Sequence, residues 1–136
     1  MADIVDAKTR SRMMAGIQGQ NTRPELTVRR YLHQRGFRFR LHVKSLPGRP
    51  DIVLSQYRTV VEVRGCFWHQ HPGCRFAYSP KTNRRFWRSK LGSNSLRDAR
   101  NETVLKDAGW RTIVVWECEA TDERKLDRVA RRIVKR

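Results

Sequence analysis

Ten residues at positions 65–74, GCFWHQHPGC, hold two cysteines, two histidines and an adjoining aromatic pair. Thiolates and imidazoles are the ligands that zinc takes in fours. Cys66, His71 and Cys74 follow a C-x4-H-x2-C spacing short enough to wrap one ion, and Cys118, just past the IVVWE run, supplies a fourth ligand. Three cysteines cannot all pair as disulfides within one chain, so a metal site is the better reading of them in a reducing compartment. A site closed by four protein ligands is structural, with a binding energy on the order of 10 kcal/mol that goes into folding. The competing reading is three buried apolar thiols. His69 is left over, two residues before His71.

A second constellation lies just upstream. GRPDIVL and TVVEVRG place Asp51 ten residues before Glu62, with Arg64 two further on, in a PD-x10-E-x-R pattern. Two carboxylates brought together at a hairpin can hold Mg2+ through hard oxygen ligands, and a nearby cation can steady a phosphate under attack. An aspartate after proline is also ordinary turn chemistry. The pattern gains weight from a free histidine nearby, because an imidazole at His69 could take a proton from water near neutral pH. It resembles the PD-(D/E)xK constellation of metal-dependent nucleases, with histidine in the role lysine fills elsewhere.

The charge balance says what such a site acts on. Thirty Lys and Arg against 13 Asp and Glu give +17, with the basic residues running from Lys8 to Arg136. A field of that sign attracts polyanions, and counterion release from a phosphate backbone is its usual use. Membrane headgroups are the weaker rival. No apolar run approaches the ~20 residues that span a bilayer, and MADIVDAKTR lacks the apolar core of a signal peptide, so the expected location is the cytoplasm.

These groups need a scaffold, and 136 residues suffice for one domain around one core. The expected division is an N-terminal DNA-contacting arm over 1–20, with a short helix over Lys8–Ile17, and an endonuclease domain over 21–136. NTRPELTVRRYLHQRG predicts a helix capped at Asn21 or Thr22, with Pro24 in its first turn and Gly36 at its end. Phe37, Phe39, Leu41 and Val43 then alternate with Arg38, Arg40, His42 and Lys44, the period of a half-buried strand. After a turn at LPGRP, DIVL and TVVEV read as a central hairpin joined by SQYR. TNRRFWRSKLG and SNSLRDARNETVLKDAG predict one broken helix or two, RTIVVWE a buried strand, and DERKLDRVARRIVKR an amphipathic helix on Leu126, Val129, Ile133 and Val134. The order α-β-β-β-α-β-α implies an α/β fold, a mixed sheet with helices on both faces.

With LPGRPD, GCFWHQH and VVWEC in register, and DAKTRSRMM and FWRSKLGSN around them, the chain resembles the very-short-patch repair endonucleases, bacterial enzymes that nick beside a T opposite a G. The resemblance covers nearly the whole length and implies a restriction-endonuclease-like fold, duplex DNA with a T:G mismatch as substrate, and cutting 5′ to the T. It implies Mg2+ on Asp51 and the Val63 carbonyl, His69 as base, Glu25 supporting the site, and structural Zn2+ on Cys66, His71, Cys74 and Cys118. It assigns Phe67 and Trp68 to wedging open the base stack, with Trp87 stacking beside them and Met14 approaching from the opposite groove. Unstacking costs a few kcal/mol and least at a mismatch, which is a source of selectivity. Lys90 and Asn94 are expected as donors to base edges, and Arg38, Arg40, Arg84 and Arg85 as phosphate contacts.

This chain departs from the best-known members by carrying Val63 and Arg64 where they have Thr-His, and Glu62 where they have no acid. Neighbouring strand residues face opposite ways, and Glu62 is the one expected to face the metal. A single site per chain suits a monomer that nicks, possible accessory partners being mismatch-repair proteins. The alternatives are a non-catalytic zinc-containing DNA-binding module and a related nuclease attacking foreign or unmodified DNA. The joint presence of Glu25, Asp51 and His69, which a binding module does not need, favours the enzyme.

Overall fold

The computed structural model describes residues 21–135; the expected N-terminal arm, its short helix and Met14 lie outside them. The first helix, α1 (Arg23–Gln34), is capped by Thr22, whose hydroxyl accepts from the Glu25 amide at 3.4 Å, and Pro24 occupies its first turn. Val28 and Leu32 bury its apolar stripe, and Glu25 lies on the same face, only 1% exposed. An acid has been placed where the helix turns inward.

The sheet has strand order β1-β2-β3-β4, with β1 (Arg40–Leu41), β2 (Ile52–Leu54), β3 (Thr59–Arg64) and β4 (Arg111–Trp116). β2 and β3 form the expected antiparallel hairpin at its centre, and β4 pairs with β3 in parallel. Ile52, Leu54, Val61, Ile113 and Val115 point to one face, where α1 and the last helix, α3 (Glu123–Val134), cover them. Val53 and Val60 point to the other, against Leu105 of the long helix α2 (Arg84–Asp107). Helices therefore lie on both faces, as the element order implies.

Three local expectations change. The Phe37–Val43 strand shrinks to two paired residues, because His42 adopts a left-handed backbone (φ 47°) that ends the ladder; Leu41 is left 40% exposed. α2 runs unbroken through Gly92, for an interior glycine costs only about 1 kcal/mol and the turns around it remain helical. Val134 is exposed while Leu126, Val129 and Ile133 are buried.

The turn that delivers Asp51 to β2 depends on Gly48. Its φ of +76° lies in the left-handed region, and an added Cβ would come 2.6 Å from the Asn101 side chain on α2. Gly48→Ala should cost about 1–3 kcal/mol in urea unfolding; unchanged stability would show that this turn and α2 are not tightly packed.

Candidate active site and thiol clasp

Asp51 sits one residue before β2, and since Ile52 pairs with Val61, Asp51 and Glu62 stand at the next step of the same ladder. The Asp51 carboxylate accepts a hydrogen bond from the Val63 amide at 2.8 Å. Glu25 reaches the same place from α1, and His42 from the end of β1. One ligand atom from each of Glu25, His42 and Asp51 lies within 4.8 Å of the others, a set that could hold a metal ion. His42 Nε2 is 2.9 Å from a Glu25 oxygen that Arg29 also engages. These groups line a cleft of about 930 Å³ together with Glu62, Arg64, Phe67, Trp68, His69 and Asp98. Five acidic side chains among the described residues line it, in a chain of net charge +17.

Crowding acids out of water has an electrostatic consequence. Burial, then the Glu25 and Glu62 carboxylates, push the Asp51 carboxyl up to about 7, although the Val63 amide pulls the other way. Glu62 is also raised by burial, against the pull of Arg64. Two carboxyls this close need a proton or a cation between them.

Glu62 and Val63 divide as the pleat demands. Val63 packs against the apolar core, while Glu62 lines the cleft. The Glu62 carboxylate, however, is committed to Arg64, at 2.6 and 3.2 Å, and is not among the three converging ligands. Arg64, 8% exposed, also meets Glu102 at 3.3 Å and lies 3.9 Å from Asp98. It is thus a buried ion-pair hub in the cleft wall.

His69 sits at the mouth of the cleft with Nδ1 2.5 Å from Asp98 Oδ2. That contact orients the ring and leaves Nε2 as its second polar atom. Asp98 and His42 were invisible to spacing arguments, Asp98 because α2 brings it from 29 residues away and His42 because alternation assigned it to the solvent side of a strand. Phe67 and Trp68 form an aromatic wall of the cleft, and the cluster extends beyond it: Phe67 contacts Trp68 (5.1 Å between centroids), Trp87 (5.5 Å) and, in a stacked geometry, Tyr78 (4.9 Å). Trp68 is buried at 8% exposure, Phe67 and Trp87 are half-buried, and Lys90 is exposed. Asn94 gives its side-chain N–H to the Trp68 carbonyl at 3.0 Å, so in this conformation it fixes the loop.

Beside the cleft, Cys66, His71, Cys74 and Cys118 converge, their ligand atoms all within 4.8 Å. His71 Nδ1 lies 3.7 Å from Cys66 Sγ and 3.5 Å from Cys118 Sγ. A tetrahedral ion with bonds of ~2.3 Å to sulfur and ~2.0 Å to nitrogen requires edges of about 3.5 Å. Without an ion, burial pushes Cys66 up to about 12 and raises Cys118, whereas the backbone N–H of Phe76 lowers Cys74. Trp116 stacks on the His71 ring at 4.2 Å. Three crowded thiols and an imidazole suit a metal better than they suit each other.

A family model described as DNA mismatch endonuclease Vsr matches residues 2–75. A type II nicking enzyme of Xanthomonas oryzae pv. oryzae, V.XorIIP, is 46% identical over 134 residues, 98% of each chain. Another, V.NmeAIP of Neisseria meningitidis serogroup A, is 44% identical, covering 98% of this chain and 97% of its own. The DNA mismatch endonuclease Vsr of Escherichia coli is 42% identical over 93% of this chain and 80% of its own. No helix among the described residues is long and apolar enough to cross a membrane.

Two measurements check this geometry. The folded Asp51 value of about 7 lies above its ordinary 3.8, so its contribution to stability is full below about pH 4 and is lost as pH rises through 7. In zinc-loaded protein without other divalent ions, Asp51→Asn should remove a decline on the order of 3 kcal/mol between pH 4 and 8; the same slope in both proteins would refute the burial. Cys118→Ser should lower the thermal midpoint by about 10 °C or more and the bound metal with it; an unchanged midpoint would remove the clasp.

Proposed function

The chain belongs to the DNA mismatch endonuclease Vsr family, and from that membership we propose that it is a zinc-stabilised, Mg2+-dependent enzyme making one strand break in duplex DNA, 5′ to the T of a T:G mismatch. A DNA endonuclease is a phosphodiester hydrolase, so the finer reading concerns which residues place water, phosphate and mismatch together. The observation that carries it is the convergence in one cleft of Glu25 and Asp51, the His69–Asp98 pair and the aromatic wall. A DNA-binding module has no use for the first two.

Asp51, the Val63 carbonyl and Glu25 would hold the divalent ion, since the Asp51 carboxyl, raised first by burial and then by the Glu25 charge, and the neighbouring Glu25 carboxylate are a donor set of hard oxygens. A divalent ion bound there lowers the pKa of water and offsets charge on the leaving oxygen. His69, oriented by Asp98, accepts the proton of the attacking water, which approaches the phosphorus in line with the departing 3′ oxygen. Glu62 keeps Arg64 charged and in place at the cleft wall, near enough for that cation to face a phosphate. Phe67, with Trp68 and Trp87 behind it, enters the stack at the weak pair, and Lys90 with the arginines of α2 tracks the backbone. Asn94 contributes by fixing the Trp68 carbonyl, so its expected base-edge contact requires that bond to open. Zn2+ on Cys66, His71, Cys74 and Cys118 holds the loop carrying both His69 and the rings. One cleft per chain suits a monomer that nicks.

The test uses labelled duplexes that differ only in T:G against T:A, with Mg2+ or with a chelator. The expected result is a single nick in the T:G duplex with Mg2+ and none with the chelator. Asp51→Ala and His69→Ala should each reduce nicking at least about 100-fold while mismatch affinity stays within a few-fold. Inertness on both duplexes would favour a binding module, and equal cutting of both a nuclease for other DNA.

A further inference from the structure

His42 occupies a conformation that its sequence context does not predict. Alternation continues through Val43, yet the chain leaves the ladder at His42 and takes a left-handed backbone, with φ 47°, that non-glycine residues rarely adopt. Such outliers persist where surrounding structure demands them, and they gather at ligand sites. Here the turn swings the imidazole into the cleft, leaving the side chain 13% exposed beside a Glu25 side chain that is 2% exposed. The His42 amide meanwhile donates to the Asp51 carbonyl at 3.3 Å, tying the histidine to the segment that carries the carboxylate.

The donor set that results is two carboxylates and one imidazole, with ligand atoms within 4.8 Å of one another. Mg2+ takes oxygen ligands and keeps much of its water. Imidazole suits the first-row transition metals, whose affinities for nitrogen-containing sites exceed that of Mg2+. Charge points the same way. Arg29 engages the Glu25 oxygen that His42 also contacts, and its guanidinium lies 3.4 Å from His42 Nε2. One carboxylate charge is thereby partly offset, which weakens a purely electrostatic hold on a hard cation and leaves more of the binding to a neutral nitrogen donor.

We propose that His42 is a third protein ligand, through Nε2, of the divalent ion held at Glu25 and Asp51, and that it makes this site take Mn2+ in preference to Mg2+. The inference rests on the reading that these carboxylates hold a divalent ion, and it changes which ion fits best. The same Nε2 lies 2.9 Å from Glu25, within reach of an ion that this carboxylate holds.

Pulsed electron paramagnetic resonance on zinc-loaded protein with added Mn2+ reads the bond itself. The expected spectrum carries the 14N coupling of a directly bound imidazole, replaced by the 15N pattern when the chain is grown with 15N-histidine, and lost in His42→Gln. That variant should bind Mn2+ about tenfold more weakly while its Mg2+ affinity, measured by competition, changes less than twofold. Mn2+ bound to the natural chain without nitrogen coupling, which needs no variant to observe, would overturn the assignment of His42 and leave the carboxylate site standing. Coupling that persists in His42→Gln would do the same. A chain that binds neither Mn2+ nor Mg2+ would overturn both this inference and the divalent-ion reading beneath it.

Discussion

A buried carboxylate, Glu25, and a partly buried one, Asp51, share one corner of a strongly basic protein, and the rest of the molecule is arranged to keep them there. Glu25 is buried because it lies on the apolar stripe of α1 with Val28 and Leu32. Asp51 is fixed by the Val63 amide, one residue before the central hairpin strand. Neither position is a surface accident: one is set by helical periodicity, the other by strand register. Coulomb repulsion at such distances in a low-dielectric site is worth several kcal/mol. The folded chain therefore concentrates negative charge in one place, only partly offset by Arg29, although its overall charge is +17.

The thiol clasp solves a different problem. The loop after β3 carries His69, Phe67 and Trp68, which line the cleft and which the proposed mechanism uses, but a loop of this kind has little core of its own. Cys66 and Cys118 come together just past the ends of the adjacent parallel strands β3 and β4, where a metal held by the Cys/His cluster would anchor the loop, and the His71 ring stacks on Trp116, the last residue of β4. From that base, His69 reaches Asp98 and Asn94 reaches back from α2 to the Trp68 carbonyl. The loop is thus held by hydrogen bonds to α2 on one side, and a metal bound by the Cys/His cluster would hold it on the other. A rigid loop matters because misplacing a catalytic group by about 1 Å can cost a hundredfold in rate.

Much of this was legible in the chain, and the failures share a cause. Helix α1, the hairpin and the final helix follow from caps, periodicity and β-branched runs, all of them local signals. The four clasp ligands were legible because three fall within nine residues and the fourth follows a recognisable strand. Asp98 was not, for nothing near it marks an acid destined for His69; only the unbroken course of α2 through Gly92 brings it there. His42 was misassigned because a period-two pattern continues through it while the backbone does not. Glu62 was expected to face the metal; it lines the cleft, but its carboxylate is paired with Arg64, a neighbour on the same strand face that spacing alone does not mark as its partner. Tertiary demands, not propensities, decided each of these positions.

The most direct measure of the central claim is the number of protons released when a divalent ion enters the cleft, obtained by titration calorimetry of zinc-loaded protein in buffers of different ionisation enthalpy. With Asp51 held near 7 by burial and its acidic neighbours, ion binding should expel about one proton at pH 6 and about none at pH 8.5, and Asp51→Asn should abolish the difference. Binding that releases no proton at either pH would contradict the account, because the aspartate would then already be ionised and the two carboxylates would not be in need of a cation.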